Sequence, residues 1–330
     1  MNKKVTFILQ RLALTLVSLF AVVTLLFLLF RIMPGDPASQ LVSPRFSDEQ
    51  RQAILAQHGL TQPLHIQYLY YLENLAQGNL GVSFQYGRPV LPFLLNKTLN
   101  TLSITVPALF LAFTFGPFIG ANFAWNRNES LDSYGTGLVL IAFAAPIFWT
   151  GMLAIMVFSF WLGWLPSSGM HSATYTETSL VGRFASLEFI RHAILPILIF
   201  GLWRLSQPTL IMRNNMIDVI GADFIKLKRA EGLDERRIMY RHGARNALLP
   251  LVHYMALAFG FAFGGSIILE TVFSWPGVGR AMWTAVLASD YPVAQGAFMI
   301  ISVAIILLNF LVDVLSVYVD PRVADTGVET

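Results

Sequence analysis

The sequence contains no cysteine. That absence excludes a disulfide framework, a thiolate metal site and a cysteine nucleophile, and it leaves the redox compartment unassigned. Charge is scarce as well. Asp, Glu, Lys and Arg make up 12% of 330 residues, about half the share of a soluble domain. No GxxxxGK(S/T) phosphate loop occurs, so the chain does not bind ATP by that route and ATP-driven work needs a partner. The six histidines, His58, His65, His171, His192, His242 and His253, show neither HExxH nor a comparably close spacing, which leaves a metalloenzyme without ligands. A membrane-embedded protease likewise lacks a catalytic constellation.

What the sequence does have is apolar length. Hydrophobic residues make up 55% of it and the mean hydropathy is +0.60, the composition of an all-α integral membrane protein. After Lys3, Lys4 and Arg11, the uncharged run Leu12–Phe30 is long enough to cross a bilayer. It leads into Arg31, Met33 and Pro34 rather than a small-residue cleavage site, so it reads as an uncleaved first span. Further spans are expected at Leu99–Trp125, Tyr134–Trp161, Ile194–Met212, Leu249–Leu269 and Val293–Tyr318.

Residues 34–98 are mixed in composition, with turn signals at Pro34–Pro37 and Gly78-Asn79. Ser47 and Gln50 form a capping-box pattern that opens an amphipathic helix to about His58, giving a small helical extramembrane subdomain. Within the second span, Gly116-Pro-Phe-Ile-Gly120 has the small-residue spacing that admits a close helix, or is a chance match in a glycine-rich chain. Trp161 and Trp164 stand where interfacial anchors belong.

Six spans put both termini on one side. Thirteen of the 22 Lys and Arg residues fall on that side, eight on the other and Arg204 inside a span, which places the termini in the cytosol. The net charge of +3 follows this topology, so nucleic acid is not an expected partner.

The main anomaly of charge lies between the fourth and fifth spans, from Asp223 to Pro250. It carries Lys226, Lys228, Arg229, Arg236, Arg237, Arg241 and Arg245, interspersed with acids. Asp223 and Asp234 suit N-caps, and Gly232 suits a helix stop between two short helices. Such a structured unit is either a solvated cytosolic loop or a docking surface.

Two polar sites fall inside spans. Arg204 sits near the midpoint of Ile194–Met212, with Gln207 beside it and Pro208 loosening the helix. A charge at that depth costs about 2.5–3.5 kcal/mol and must face protein or an aqueous path. It either meets an anionic part of a solute, such as a peptide carboxylate, or pairs structurally with a partner chain. Asn309 and Asp313, four apart on the last span, suit an interhelical bond or subunit contact rather than a proton relay. Glu270–Arg280 is turn-rich and reads as a loop that dips back toward the membrane, or as a tight chain reversal.

The island, with Gly232 followed by Asn246-Ala-Leu-Leu-Pro250, resembles the EAA loop of ATP-binding-cassette importer permeases. RIMPGDP (31–37), GNLGVSF (78–84), GWLPSSG (163–169), ETVFSWPGVGR (270–280), Asp290-Tyr291-Pro292 and DPR (320–322) narrow the resemblance to the dipeptide, oligopeptide and nickel permease family. These motifs run in order across nearly the whole chain.

The resemblance implies a type I importer permease with six transmembrane helices. It divides the chain into a tail and first span (1–33), an extracytoplasmic subdomain (34–98), a core (99–318) with a coupling segment at 218–250, and a cytosolic tail (319–330). It also implies a bacterial inner-membrane location, a second homologous permease as heterodimer partner, two cytosolic ATPases carrying ATP and Mg, and an extracytoplasmic binding protein. No cofactor is expected on this chain.

By that resemblance Asp223, Lys226, Lys228, Arg229, Ala230, Glu231, Gly232, Leu233 and Pro250 belong to ATPase coupling, while Arg204 and Gln207, from their place inside a span, are the candidates for the solute pathway. Glu270, Ser274, Trp275, Pro276, Gly277 and Gly279 belong to a binding-protein contact or outer gate. Lys228 departs from the pattern, standing where such permeases usually carry alanine, and is expected to pair with an acid on its ATPase. A self-sufficient secondary transporter or channel is the alternative, and it leaves the island without a task.

Overall fold

The structure is a computed structural model that describes residues 3–32, 49, 62–176 and 179–319. The turn at 34–37, the capping box with its helix to His58, and the closing DPR lie outside the described residues. Among the described residues the chain is helical, with one isolated antiparallel bridge between Val82 and Pro89.

In chain order the helices are α1 (Lys3–Ile32), α2 (Leu64–Ala76), α3 (Val90–Trp125), α4 (Ser130–Ala144), α5 (Ile147–Ile155, running into a π-helical turn Met156–Trp161) and α6 (Leu180–Ala185). There follow α7 (Leu187–Ile220), α8 (Asp223–Ala230), α9 (Glu235–Arg237, continued by a π turn Ile238–Gly243), α10 (Ala244–Ala247) and α11 (Leu249–Ala262). Last come α12 (Ile267–Val272), α13 (Val278–Leu287) and α14 (Tyr291–Val319).

Four of these are long and apolar enough to cross a membrane: α1, α3, α7 and α14. The expected third span is instead two helices, α4 and α5, bent by 93°. The cause is local. Ala145 precedes Pro146 and takes an extended conformation (φ −66°, ψ 127°), because the proline ring disfavours a helical predecessor. The expected fifth span is also shorter, since α11 stops at Ala262 and Gly265 adopts a left-handed φ of 62° before α12 begins. Hydropathy reads all of this as continuous apolar sequence.

The chain divides into two compact units, Met1–Thr101 with Pro276–Thr330, and Leu102–Trp275. In the first, Val23, Leu26 and Phe30 of α1 share a core with Val293, Ala294, Ala297 and Met299 of α14 and with Val90 and Leu94 at the start of α3. A Cβ on Gly296 would stand 2.8 Å from Val90 Cγ1, so only glycine admits this approach. The α2 helix rests on α1 through Phe27, whose ring meets Tyr68 at 5.1 Å and Tyr71 at 5.5 Å. Arg11 pairs with Asp313 at 3.4 Å, tying the first helix to the last. The interhelical role expected of Asp313 is therefore filled within the chain.

Two sequence motifs also meet in this unit. The carboxylate of Asp290, which is buried, accepts from Ser83 Oγ, Phe84 N (3.1 Å) and Gln85 N (3.2 Å). GNLGVSF and Asp-Tyr-Pro thus form one clasp over some 200 residues of chain. Three donors on one buried carboxylate remove most of its desolvation cost.

In the second unit α7 packs against the latter half of α3. A Cβ on Gly116 would lie 2.9 Å from Pro208 Cβ, and one on Gly120 would collide with the Thr209 carbonyl. The glycine spacing therefore marks a real backbone contact, with small residues letting two helices approach. Below it Ala121, Ala124, Met212, Met216, Met239, Ala244 and Ala247 form one core cluster.

Candidate functional site

The charged island is a folded unit. Helix α7 ends at Ile220, Gly221 follows, and α8 starts at Asp223 after Ala222, an N-cap without a side-chain bond. The expectation that Asp223 caps this helix is therefore corrected: it lies inside the first turn and pairs with Lys226 at 2.8 Å. Its charge still opposes the helix dipole, as Lys228 and Arg229 do at the other end.

The stop at Gly232 is as expected. With φ at 77°, its N–H bonds the Arg229 carbonyl (3.0 Å) and the Leu233 N–H bonds that of Lys228 (3.3 Å), the two bonds of a Schellman motif. Asp234 then caps the next helix, accepting from Arg236 N and Arg237 N. Pro250 occupies the second position of α11, where a missing donor does no harm.

This unit is fixed to the spans. Ile225, fully buried, anchors α8, while Ile238 and Met239 are buried in the π turn and Met239 joins the Met212–Met216 cluster. Arg229 binds Glu235 at 2.8 and 3.3 Å and lies 5.4 Å from the Trp125 ring at the end of α3. Asn122 donates to Tyr240 (2.8 Å), and Asn215 donates to the Ala247 carbonyl (3.2 Å).

The outward face of α8 differs in kind. Phe224 and Leu227 are 38% and 58% exposed, and Lys228 and Glu231 complete the same face at helical spacing. Ala230 and Leu233 flank it. Lys228, expected to meet an acid on another subunit, binds Glu231 of its own chain at 2.8 and 3.0 Å. A partly exposed i,i+3 pair of this kind contributes little, about 0–1 kcal/mol. Lys228→Gln is therefore expected to leave retention of partner subunits within about twofold of wild type, measured by quantitative pull-down.

Two side chains inside the second unit carry further chemistry. Arg204 on α7 is half-buried, with its guanidinium 5.2 Å from the Phe200 ring and 5.1 Å from the Trp203 ring. Its Nε is buried without a hydrogen-bond partner, and no carboxylate pairs with it among the described residues. Gln207, one turn on, is also half-buried. Arg213, counted by sequence as a topology charge, instead makes a bidentate pair with Asp132 of α4, Nε to Oδ1 at 2.6 Å and Nη2 to Oδ2 at 2.7 Å. That pair gave no signal in the sequence.

The segment Glu270–Arg280 is ordered as the end of α12, a turn and the start of α13. Ser266 caps α12 by accepting from Leu269 N, Ser274 takes a left-handed φ of 49°, and Trp275 N bonds the Glu270 carbonyl at 2.7 Å. Glu270 and Trp275 are fully buried, Trp275 packs edge-on against Phe189, and the GWLPSSG loop joins them through Gly169 N to Phe273 O (2.8 Å). In the other unit, the Pro276 carbonyl accepts from Asn100, Gly277 precedes α13, and Val278 N donates to Thr101. Gly279 is buried in the first turn of α13.

The family model for a binding-protein-dependent transport system inner membrane component matches residues 114–325, and the companion model for the N-terminal part of such membrane components matches residues 4–105. The chain is 36% identical to the di/tripeptide transport system permease protein DppB of Pseudomonas aeruginosa (strain UCBPP-PA14), over 96% of this chain and 98% of that one. It is 36% identical to the glutathione transport system permease protein GsiC of Salmonella typhimurium (strain LT2) and 32% identical to the oligopeptide transport system permease protein AppB of Bacillus subtilis (strain 168), at the same coverage. The chain belongs to the binding-protein-dependent transport system inner membrane components, as a permease subunit of an ATP-binding-cassette importer.

Proposed function

We propose that this permease moves peptides, or a similar small polar solute bearing a carboxylate, inward by alternating access. The observation that carries this reading is the two-sidedness of α8, with Ile225 fully buried while Phe224 and Leu227 face outward. In this reading α8 docks on one of two cytosolic ATPases that bind ATP and Mg, and the chain itself is not catalytic. A second homologous permease completes the path as a heterodimer, and a binding protein delivers solute to the outer side near the 270–280 turn, which serves as contact or outer gate. The bent pair α4–α5 and the short α11 act as the third and fifth of six membrane passages in a type I arrangement. Residues 34–98 stand outside the membrane and both termini in the cytosol. The names of DppB and AppB, which cite di/tripeptides and oligopeptides, support the solute class.

The test is uptake of a labelled dipeptide into proteoliposomes holding the full complex. Uptake must require the ATPase subunits and ATP. Uptake by the permeases alone would overturn the reading in favour of a self-sufficient transporter.

Arg204 is the residue assigned to the solute's carboxylate, with Gln207 beside it. Arg204→Gln is expected to reduce uptake of a free-carboxylate dipeptide about tenfold, the share of one charged hydrogen bond, and to spare its C-terminal amide. Equal loss for both solutes would assign Arg204 to structure.

A further inference from the structure

The first unit contains a cleft of about 600 Å3, a size typical of small-ligand sites, between the end of α1, α2, the 79–84 loop and the start of α14. Its polar lining is one-sided in charge. Arg31 is a cation, Gln67, Asn74 and Gln295 are amides, Tyr71 is a phenol, and among the described residues no carboxylate lines it. Arg31 is half-buried with its guanidinium 5.6 Å from the Phe27 ring, and among the described residues no acid pairs with it. The Asp290 carboxylate nearby is occupied by its three donors from 83–85.

The Tyr71 hydroxyl is buried beside the Gln295 amide, and among the described residues no group meets it in full hydrogen-bond geometry. Burial pushes its pKa up to about 12, so it remains a donor at every physiological pH. A guanidinium and a phenol therefore converge on space to which the described residues bring no counter-charge.

Position identifies the ligand further. Arg31 is the last residue of the apolar span that begins at Lys4. Arginine and tyrosine at such a point lie at headgroup depth. One turn back, Leu28 and Leu29 are 40% and 51% exposed and offer apolar surface for acyl chains. A free solute in water would have no use for that surface.

We propose that this cleft binds the phosphate of an anionic membrane phospholipid, with Arg31 as the bidentate phosphate ligand and Tyr71 donating to a phosphate or glycerol oxygen. A zwitterionic headgroup fits less well, because the described lining offers its ammonium no acid. The site is separate from Arg204 and does not depend on which solute is carried.

The test is native mass spectrometry of the assembled complex in detergent, titrated with phosphatidylglycerol, phosphatidylcholine or the dipeptide Ala-Ala. The expected result is one tightly held phosphatidylglycerol per copy of this chain, with affinity about tenfold lower in Arg31→Gln and largely restored in Arg31→Lys. Tyr71→Phe, which removes only one oxygen, should lower affinity by a smaller factor without loss of fold. Equal retention by wild type, Arg31→Gln and Tyr71→Phe would overturn the proposal. So would equal affinity for phosphatidylcholine, or displacement of the lipid by Ala-Ala, which would assign the cleft to the solute.

Discussion

Replacing Asp132 with alanine is expected to destabilise the permease by about 3–5 kcal/mol, the cost of leaving one member of a buried ion pair without its partner. The side chains of Asp132 and Arg213 are only 5% and 21% exposed, so water screens the pair weakly. Both carboxylate oxygens are used, and Thr136 Oγ1 adds a third bond at 3.2 Å. The pair joins α4 to α7, helices with few other polar links among the described residues. Its removal strands a guanidinium in the second unit, and that stranded charge, more than the lost attraction, sets the size of the effect.

A second variant separates these terms. Asp132→Leu combined with Arg213→Met removes both charges and should recover most of the loss, since apolar side chains of similar volume suit this environment. Thermal unfolding in detergent reads the result. The single variant should melt roughly 6–20 °C lower, by the usual scaling of about 2–4 °C per kcal/mol for a unit of this size, and the double variant within a few degrees of wild type. A single variant that melts with wild type would show that the pair contributes nothing, and a double variant as weak as the single would show that attraction outweighs the stranded charge.

The same pair marks the boundary of what the sequence reveals. Local chemistry was legible: the Gly232 stop and the Asp234 cap follow from residue types within a few positions, and both bonds form. Gly116 and Gly120 were legible as a place where a helix can come close, though not as the place where Thr209 does. Asp223 shows the limit even of local reading, because Ala222 took the cap position once Gly221 had ended α7.

Pairings across the chain left no trace. Arg213 finds Asp132 across 81 residues, and Ser83 finds Asp290 across 207. One sequence contains no term that links such positions. Hydropathy also averages over direction, so it could not see the turn at Pro146 or the break at Gly265. For the candidate coupling site, charge density drew attention to the island, yet the apolar residues turned outward beside those charges are Phe224 and Leu227, which a search for charge passes over.

Those two residues carry the second large effect. Leu227→Asp is expected to weaken association with the ATPase subunits about 100-fold and to reduce ATP-dependent uptake in proportion, while the permease melts as wild type. Burying one leucine or phenylalanine side chain contributes about 1.5–3 kcal/mol, and interface energy concentrates in a few such anchors. An aspartate at the same point loses that burial and must shed its own hydration to dock. Because Leu227 is 58% exposed, its replacement removes nearly nothing from the fold of the chain itself.

Phe224→Ser should act in the same direction by a smaller factor, since less of its ring is turned outward. Ile225→Ser is the contrasting variant. Its side chain is fully buried beneath α8, so it should lower the melting temperature and uptake together. Quantitative pull-down, uptake and melting on the three variants separate docking from folding. If Leu227→Asp retained wild-type association and uptake, α8 would be a solvated turn between spans, and ATP-driven motion would have to enter this permease elsewhere.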